Sequence, residues 1–153
     1  MPYLAIAFLI GVIAGLRSLT APAAVSWAAW LGWLPLEASR LAFLGYAATP
    51  YIFTVLAIGE LIADQLPSTP SRKSPMGLIA RILMGAMCGG AIGIPAGALA
   101  IGACAGVAGA LVGTFGGYEA RVRLARAVGK DLPIALLEDV IAIGGAFLLV
   151  SRA

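Results

Sequence analysis

The chain has 153 residues, of which 61% are hydrophobic and 11% are charged, and its mean hydropathy is +1.02. Soluble domains carry about a quarter charged residues, so this composition excludes an ordinary soluble enzyme. The formal charge of +3 does not indicate a nucleic-acid partner, because the basic residues fall between hydrophobic stretches rather than along an amphipathic face. We therefore predict an all-α integral membrane protein with one transmembrane domain, residues 1–153.

The first hydrophobic segment, residues 3–32, is too long for a single straight span. One helix of that length would measure about 45 Å, which exceeds the thickness of a bilayer core. We expect a break near residues 17–22, because Pro22 cannot donate a helical hydrogen bond and Thr20 is a suitable N-cap. Residues 1–15 carry no charge, so they lack the basic region of a signal peptide and are expected to be retained as a helix.

Four more hydrophobic segments follow, so the sequence predicts about five transmembrane helices. These segments are residues 39–66, 76–93, 95–126 and 133–150, with a proline-rich polar loop at 67–75. Glycines recur every three to five residues between Gly85 and Gly113, a spacing that lets helix backbones approach closely in lipid. The glycine-rich helices are therefore expected to lie inside the bundle.

The distribution of basic residues gives an expected orientation. Five spans would place Arg40 and Arg152 on one side of the membrane. Seven residues would lie on the other: Arg72, Lys73, Arg81, Arg121, Arg123, Arg126 and Lys130. The positive-inside rule then predicts a cytoplasmic N-terminus and a C-terminus outside.

A weak internal similarity suggests an inverted repeat. Residues 28–36 can be aligned with residues 125–134 if one insertion is allowed, and a hydrophobic helix follows in both places. The half-repeats would be 3–66 and 95–151, with helix 76–93 between them. Inverted repeats are common in transporters, where the binding site lies near the repeat interface.

Arg17 is the strongest candidate for a binding residue. It follows sixteen uncharged residues and falls about halfway along the expected membrane path, where charged groups are costly and usually functional. Ser18 and Thr20 add hydroxyl groups, and a broken helix would offer free N–H groups to an anion. The alternative is that Arg17 pairs with a carboxylate or extends its side chain to the membrane surface.

Carboxylates close to helix ends form a candidate coupling or gating set. Glu60 and Asp64 are four residues apart and share one helical face. If the carboxylates converge, they would relay protons or ligate a divalent cation such as Mg²⁺, with Glu60 and Asp64 as the first candidates. A salt-bridged membrane rim is the alternative. The full set is Glu60, Asp64, Glu119, Glu138 and Asp139.

Other residue types narrow the chemistry. The chain has no histidine, and Cys88 and Cys104 lie in apolar stretches, so a Cys/His metal site is excluded. Trp27, Trp30 and Trp33 lie three residues apart and are expected to act as interfacial anchors.

Two segments carry a resemblance to a known family. Gly15-Leu16-Arg17-Ser18-Leu19-Thr20-Ala21-Pro22 and Gly59-Glu60-Leu61-Ile62-Ala63-Asp64-Gln65-Leu66-Pro67 resemble the small bacterial membrane family known as domain of unknown function 4126. The resemblance implies a bacterial inner-membrane location and favours Arg17, Glu60 and Asp64 as functional residues. It implies no activity.

The sequence therefore favours a small transporter or channel-like protein for an anionic or phosphate-bearing solute or lipid. We expect it to act in the lipid bilayer as a homo-oligomer, because five short spans enclose little volume. One alternative is a metal-dependent membrane enzyme that acts on a lipid phosphate or pyrophosphate. Another is a non-catalytic subunit of a membrane complex, with its glycine-rich faces packed against partner helices.

Overall fold

The computed structural model describes residues 2–66 and 74–153, which form six α-helices and no strand. The helices are α1 (Pro2–Leu16), α2 (Thr20–Trp30), α3 (Thr49–Ala63), α4 (Pro75–Gly93), α5 (Leu99–Val128) and α6 (Leu132–Val150). The all-helical class is confirmed. Three described helices, α4 with its extension to Ala96, α5 and α6, are long and apolar enough to cross a membrane, so the count of five spans is not confirmed.

The first segment breaks where the sequence predicts. Helix α1 ends at Leu16 and α2 begins at Thr20, with Pro22 in the first turn of α2, where a missing N–H costs little. The expectation that Thr20 is the N-cap is wrong, because Leu19 holds that position without a side-chain cap. The Glu60 carboxylate of α3 instead accepts hydrogen bonds from the backbone N–H groups of Ser18 and Leu19. At 1.5 Å per residue, α1 is about 22 Å long and shorter than a bilayer core.

The second segment contains a shorter helix than predicted. Residues 31–48 form turns and a short 3₁₀ helix at Ala42–Gly45, and α3 begins only at Thr49, with Pro50 in its first turn. Proline fixes the backbone angle that starts a helix and cannot continue one from before. The connection is held down by buried side chains: Leu34, Leu36 and Leu44.

Helices α4 and α6 begin within one residue of their predicted starts. Each has proline in its first turn, Pro75 in α4 and Pro133 in α6. The Ser74 hydroxyl caps α4 by accepting a hydrogen bond from the backbone N–H of Gly77 at 3.3 Å.

The turns at the two ends of α5 each contain a glycine with a left-handed φ angle. Pro95 lies in a 3₁₀ turn rather than in α5, because the turn closes at Gly97 with a left-handed φ of 66°. At the other end Gly129 has a φ of 77° and terminates α5 three residues before α6 begins.

Glycine contacts bring α1, α4 and α5 together. A Cβ placed on Gly106 of α5 would collide with the carbonyl group of Gly85 on α4, and one on Gly11 of α1 would collide with the Gly106 carbonyl group. Gly89 on α4 and Gly102 on α5 are equally close. The three backbones therefore touch directly, as the glycine spacing predicts for small residues at helix interfaces.

The same contacts give the helix directions. Going along α1 from Gly11 to Gly15, the facing α5 residues advance from Gly106 to Gly113, so α1 and α5 are parallel. Helix α4 runs the opposite way, because Gly85 faces Gly106 and Gly89 faces Gly102.

Helix α6 also runs opposite to α1. Ile13 of α1 lies beside Gly145 of α6, and Arg17 lies beside Asp139. Pro2 and Val150 therefore lie at the same end of the bundle, which we call the terminal end. The starts of α4 and α6 and the end of α5 lie at the opposite, basic end, which carries Arg121, Arg123, Arg126 and Lys130.

These directions do not fit the predicted order of five alternating spans. That order makes the first and fourth spans antiparallel and puts the two termini on opposite sides, whereas α1 and α5 are parallel and the termini lie together. The reason is that α1 ends at a corner and α2 is a separate short helix. The inverted repeat gains no support either, because residues 31–48 connect α2 to α3 but only residues 129–131 connect α5 to α6.

Candidate functional site

The break between α1 and α2 places a buried guanidinium group at the middle of the bundle. The last backbone bond of α1 runs from the Arg17 N–H to the Ile13 carbonyl oxygen at 2.8 Å. The Arg17 side chain is fully buried and pairs through Nη1 with Asp64 and through Nη2 with Asp139. These three residues form what we call the Arg17 cluster.

The two aspartates approach Arg17 from different helices. Asp64 is the C-cap of α3, and Asp139 lies in the second turn of α6. Their side chains retain 15% and 12% of their exposure, whereas the guanidinium retains none. The carboxylates, rather than the guanidinium, are therefore the part of the cluster that is open to its surroundings. One guanidinium faces two carboxylates, so the cluster has a formal surplus of one negative charge.

Glu60 occupies the start of α2. Its Oε1 accepts hydrogen bonds from the Ser18 backbone N–H at 2.8 Å and the Ser18 hydroxyl at 2.7 Å, and its Oε2 accepts one from the Leu19 N–H at 2.9 Å. The N–H groups at a helix start carry partial positive charge and favour an anionic acceptor. The N–H groups at the start of α2, where the sequence predicts anion binding, are thus occupied by a carboxylate of the chain, and binding of a solute anion there stays a prediction.

Two threonines complete the surroundings of the corner. The Thr114 hydroxyl donates to the Gly15 carbonyl oxygen at 3.3 Å, which satisfies a backbone group exposed by the end of α1. Thr114 is at the midpoint of α5, so the corner lies level with the middle of a helix long enough to cross a membrane. Within residues 2–66 and 74–153, neither the buried Thr20 hydroxyl nor Arg17 Nε has a hydrogen-bond partner. Thr114 is not predicted from the sequence, because its only distinguishing feature there is a lone hydroxyl in a glycine-rich helix.

A second ion-pair group joins α5 to α6 near the cluster. Arg121 forms a bidentate pair with Asp131, at 2.9 and 2.6 Å, and its Nη1 lies 3.7 Å from Glu138. Arg121 also interacts electrostatically with Asp64 of the Arg17 cluster. A groove of about 160 Å³ between Leu16, α5 and α6 runs beside this group, with mostly apolar walls.

The structure thus brings together most of the residues singled out in the sequence. Glu138 lies beside the cluster rather than in it. Glu119 is separate, because it is exposed and pairs with Arg123 one turn along α5 at 2.9 Å. The residues gathered around the corner are Arg17, Ser18, Thr20, Glu60, Asp64 and Asp139.

The carboxylates face cationic groups or a helix start rather than one another. In the part of the chain that the structure describes, no three acidic or sulfur-bearing side chains are grouped as metal ligands. Each of these carboxylates occupies a group that attracts anions, so the arrangement suits the exchange of one anion for another.

The helical bundle and the buried Arg17 cluster define this chain as an all-helical protein with membrane-spanning potential and a polar centre. Comparisons with protein-family models, curated proteins and solved structures find no match. The resemblance seen in the sequence stays a prediction, and the functional argument rests on the site.

Proposed function

We propose that the chain is a small membrane transporter or channel-like protein for an anionic or phosphate-bearing solute, which binds at Arg17. One observation carries the proposal: a fully buried guanidinium is held by carboxylates from α3 and α6. Burial of charge within a membrane protein is costly, and such residues commonly mark a solute or proton pathway.

The charge surplus supports a coupling role for the aspartates. A solute anion can reach Arg17 only when Asp64 or Asp139 withdraws, and uptake of a proton by an aspartate weakens its attraction to Arg17. Arg17 pairs with both aspartates, and Arg121 interacts electrostatically with Asp64. Glu60 precedes Asp64 by one turn of α3, Glu138 is next to Asp139 on α6, and Arg81 is buried on α4. In this proposal an anion that binds Arg17 crosses together with a proton carried by the displaced aspartate.

The proposed setting is the bacterial inner membrane. With both termini at one end of the bundle, the positive-inside rule places the basic end in the cytoplasm and the termini outside. We further propose a homo-oligomer, because the short helices of one chain enclose little volume. Large apolar side chains of α5 and α6 face outward, including Phe115, Leu136 and Val140, and would meet lipid or a second copy.

Transport can be tested in vesicles that enclose a pH-sensitive dye. We expect an inward gradient of phosphate, sulfate, succinate or a phosphate monoester to acidify the lumen when wild-type protein is present. Arg17→Ala should reduce acidification to the rate of empty vesicles. Glu119→Gln should retain the wild-type rate, because Glu119 lies outside the cluster.

Asp64→Asn separates anion movement from proton movement. It should let a radiolabelled anion enter with less acidification than in the wild type, because one proton-binding carboxylate is absent. The proposal is wrong if no anion acidifies wild-type vesicles faster than empty ones, or if a correctly folded Arg17→Ala variant transports like the wild type.

A further inference from the structure

The last turn of α3 places two carboxylates on two adjoining anion-binding groups. Glu60 accepts hydrogen bonds from the backbone N–H groups of Ser18 and Leu19, and Asp64 pairs with Arg17. Glu60 and Asp64 are one turn apart, so their Cβ atoms are about 5–6 Å from each other. Because Arg17 and Ser18 are consecutive residues, both anion-binding groups belong to one continuous corner of the chain.

Unused donors lie in the same corner. The Thr20 hydroxyl and Arg17 Nε are buried, and neither has a hydrogen-bond partner within the described residues. Buried polar groups are normally paired, so unpaired ones at a helix start could bond to a further ligand group once the corner opens. The corner thus offers more hydrogen-bond donors than the two carboxylates use.

Helix α3 is also loosely held. It packs chiefly against α2 and the 3₁₀ turn at Ala42–Gly45, and Pro50 and Ala57 are its buried residues. Near its start it is tied to α2 by a hydrogen bond of 2.9 Å from the Trp27 indole to the Thr54 hydroxyl. The carboxylate end of α3 is therefore held mainly by the Glu60 hydrogen bonds and the Asp64 ion pair, which are the contacts that a bound anion could replace.

We propose that the last turn of α3 is an internal plug that imitates the solute, and that the site beneath it binds a small dianion with two separated anionic groups. The inference rests on the proposed function and adds the class of solute. When the plug withdraws, one group of the dianion takes the place of Asp64 on Arg17. The other takes the place of Glu60 on the Ser18 and Leu19 amides.

Removal of the plug's charges should increase affinity for dianions. In Glu60→Gln/Asp64→Asn the side-chain shapes persist while the competing charges are lost. Purified protein in detergent is titrated with succinate or pyrophosphate, and binding is measured from the rise in melting temperature. We expect the double variant to bind either anion at least tenfold more tightly than the wild type does. Acetate at the same ionic strength should bind more weakly, and comparison of succinate with pyrophosphate distinguishes a dicarboxylate from a diphosphate.

Control variants distinguish removal of the plug from a general loss of negative charge in the chain. Glu119→Gln should leave affinity unchanged, and adding Arg17→Ala to the double variant should abolish the gain. If the double variant does not fold, Asp64→Asn keeps the Glu60 contacts to α2 and should show a smaller gain for succinate.

Each other outcome overturns the inference. Equal affinity for acetate and succinate in the unplugged variant would leave Arg17 as an anion site but refute the dianion. No gain over the wild type would refute the plug while leaving transport itself open to the vesicle assay. If no anion binds any variant, both the plug and the proposed function fail.

Discussion

Arg17 connects three helices through one side chain, since it lies at the end of α1 and pairs with Asp64 of α3 and Asp139 of α6. An arginine suits this position better than a lysine, because its planar guanidinium has donors that can face two carboxylates at once. Its removal would leave two acidic groups without their counter-charge in a partly buried site. Loss of Arg17 therefore destabilises the fold mainly because Asp64 and Asp139 are left without their ion-pair partner.

Replacement of Arg17 by methionine tests this reasoning. We expect Arg17→Met to lower the free energy of unfolding by about 3–5 kcal/mol, as for loss of one partner from a buried ion pair. Adding Asp64→Asn and Asp139→Asn should recover most of that loss, because no unpaired charge remains. Chemical unfolding in detergent would measure both effects, and a triple variant no more stable than Arg17→Met would contradict the argument.

At the scale of helices, the backbone contact between α1, α4 and α5 depends on Gly106. The position faces Gly11 on one side and Gly85 on the other, and a Cβ there meets backbone atoms that cannot move away individually. Close contact of this kind supplies the dispersion energy that holds helices together where burial from water is absent.

Gly106→Ala should therefore push α4 away from α5, because its Cβ would meet Gly85 and Gly89. Overpacking a tight interface costs about 1–3 kcal/mol, so we expect a clear drop in melting temperature. Gly116→Ala is the matched control in the same helix, since a Cβ there meets nothing within 4 Å and alanine favours helix. Equal melting temperatures for the two variants would show that α5 does not pack as described.

The sequence predicts the elements better than their arrangement. Pro75 and Pro133 locate the starts of α4 and α6, and the polar residues before Pro22 locate the corner. Glycine spacing indicates close packing but carries no information on whether two helices run parallel, so the direction of α1 could not be predicted. Asp139 was a candidate by residue type, but its contact with Arg17 depends on the fold of the intervening chain.

At the scale of the whole molecule, helix direction decides which surfaces share a side of the membrane. Parallel α1 and α5, with α6 opposed to both, put Pro2 and Ser151 at the terminal end and Lys130 at the basic end. The basic end carries the excess of positive charge, so in the proposed orientation the N-terminus would lie outside rather than in the cytoplasm.

Thiol labelling of intact cells measures this arrangement. In a background with Cys88→Ala and Cys104→Ala, we expect Pro2→Cys and Ser151→Cys to react with a membrane-impermeant maleimide. Lys130→Cys should react only after the cells are permeabilised. Labelling of Pro2→Cys and Ser151→Cys from opposite sides would restore the order of five alternating spans.

The packing of α1 on α5 also bears on how the protein is made. Helix α1 is synthesised before the other five described helices, yet α5, with which it makes close backbone contacts, begins more than eighty residues after α1 ends. Asp139, the second aspartate that pairs with Arg17, lies on α6, the last of the described helices. A nascent chain therefore holds Arg17 with Asp64 as its one aspartate partner until α6 has been added. Products truncated before α6 should be degraded by quality control more readily than those that include it.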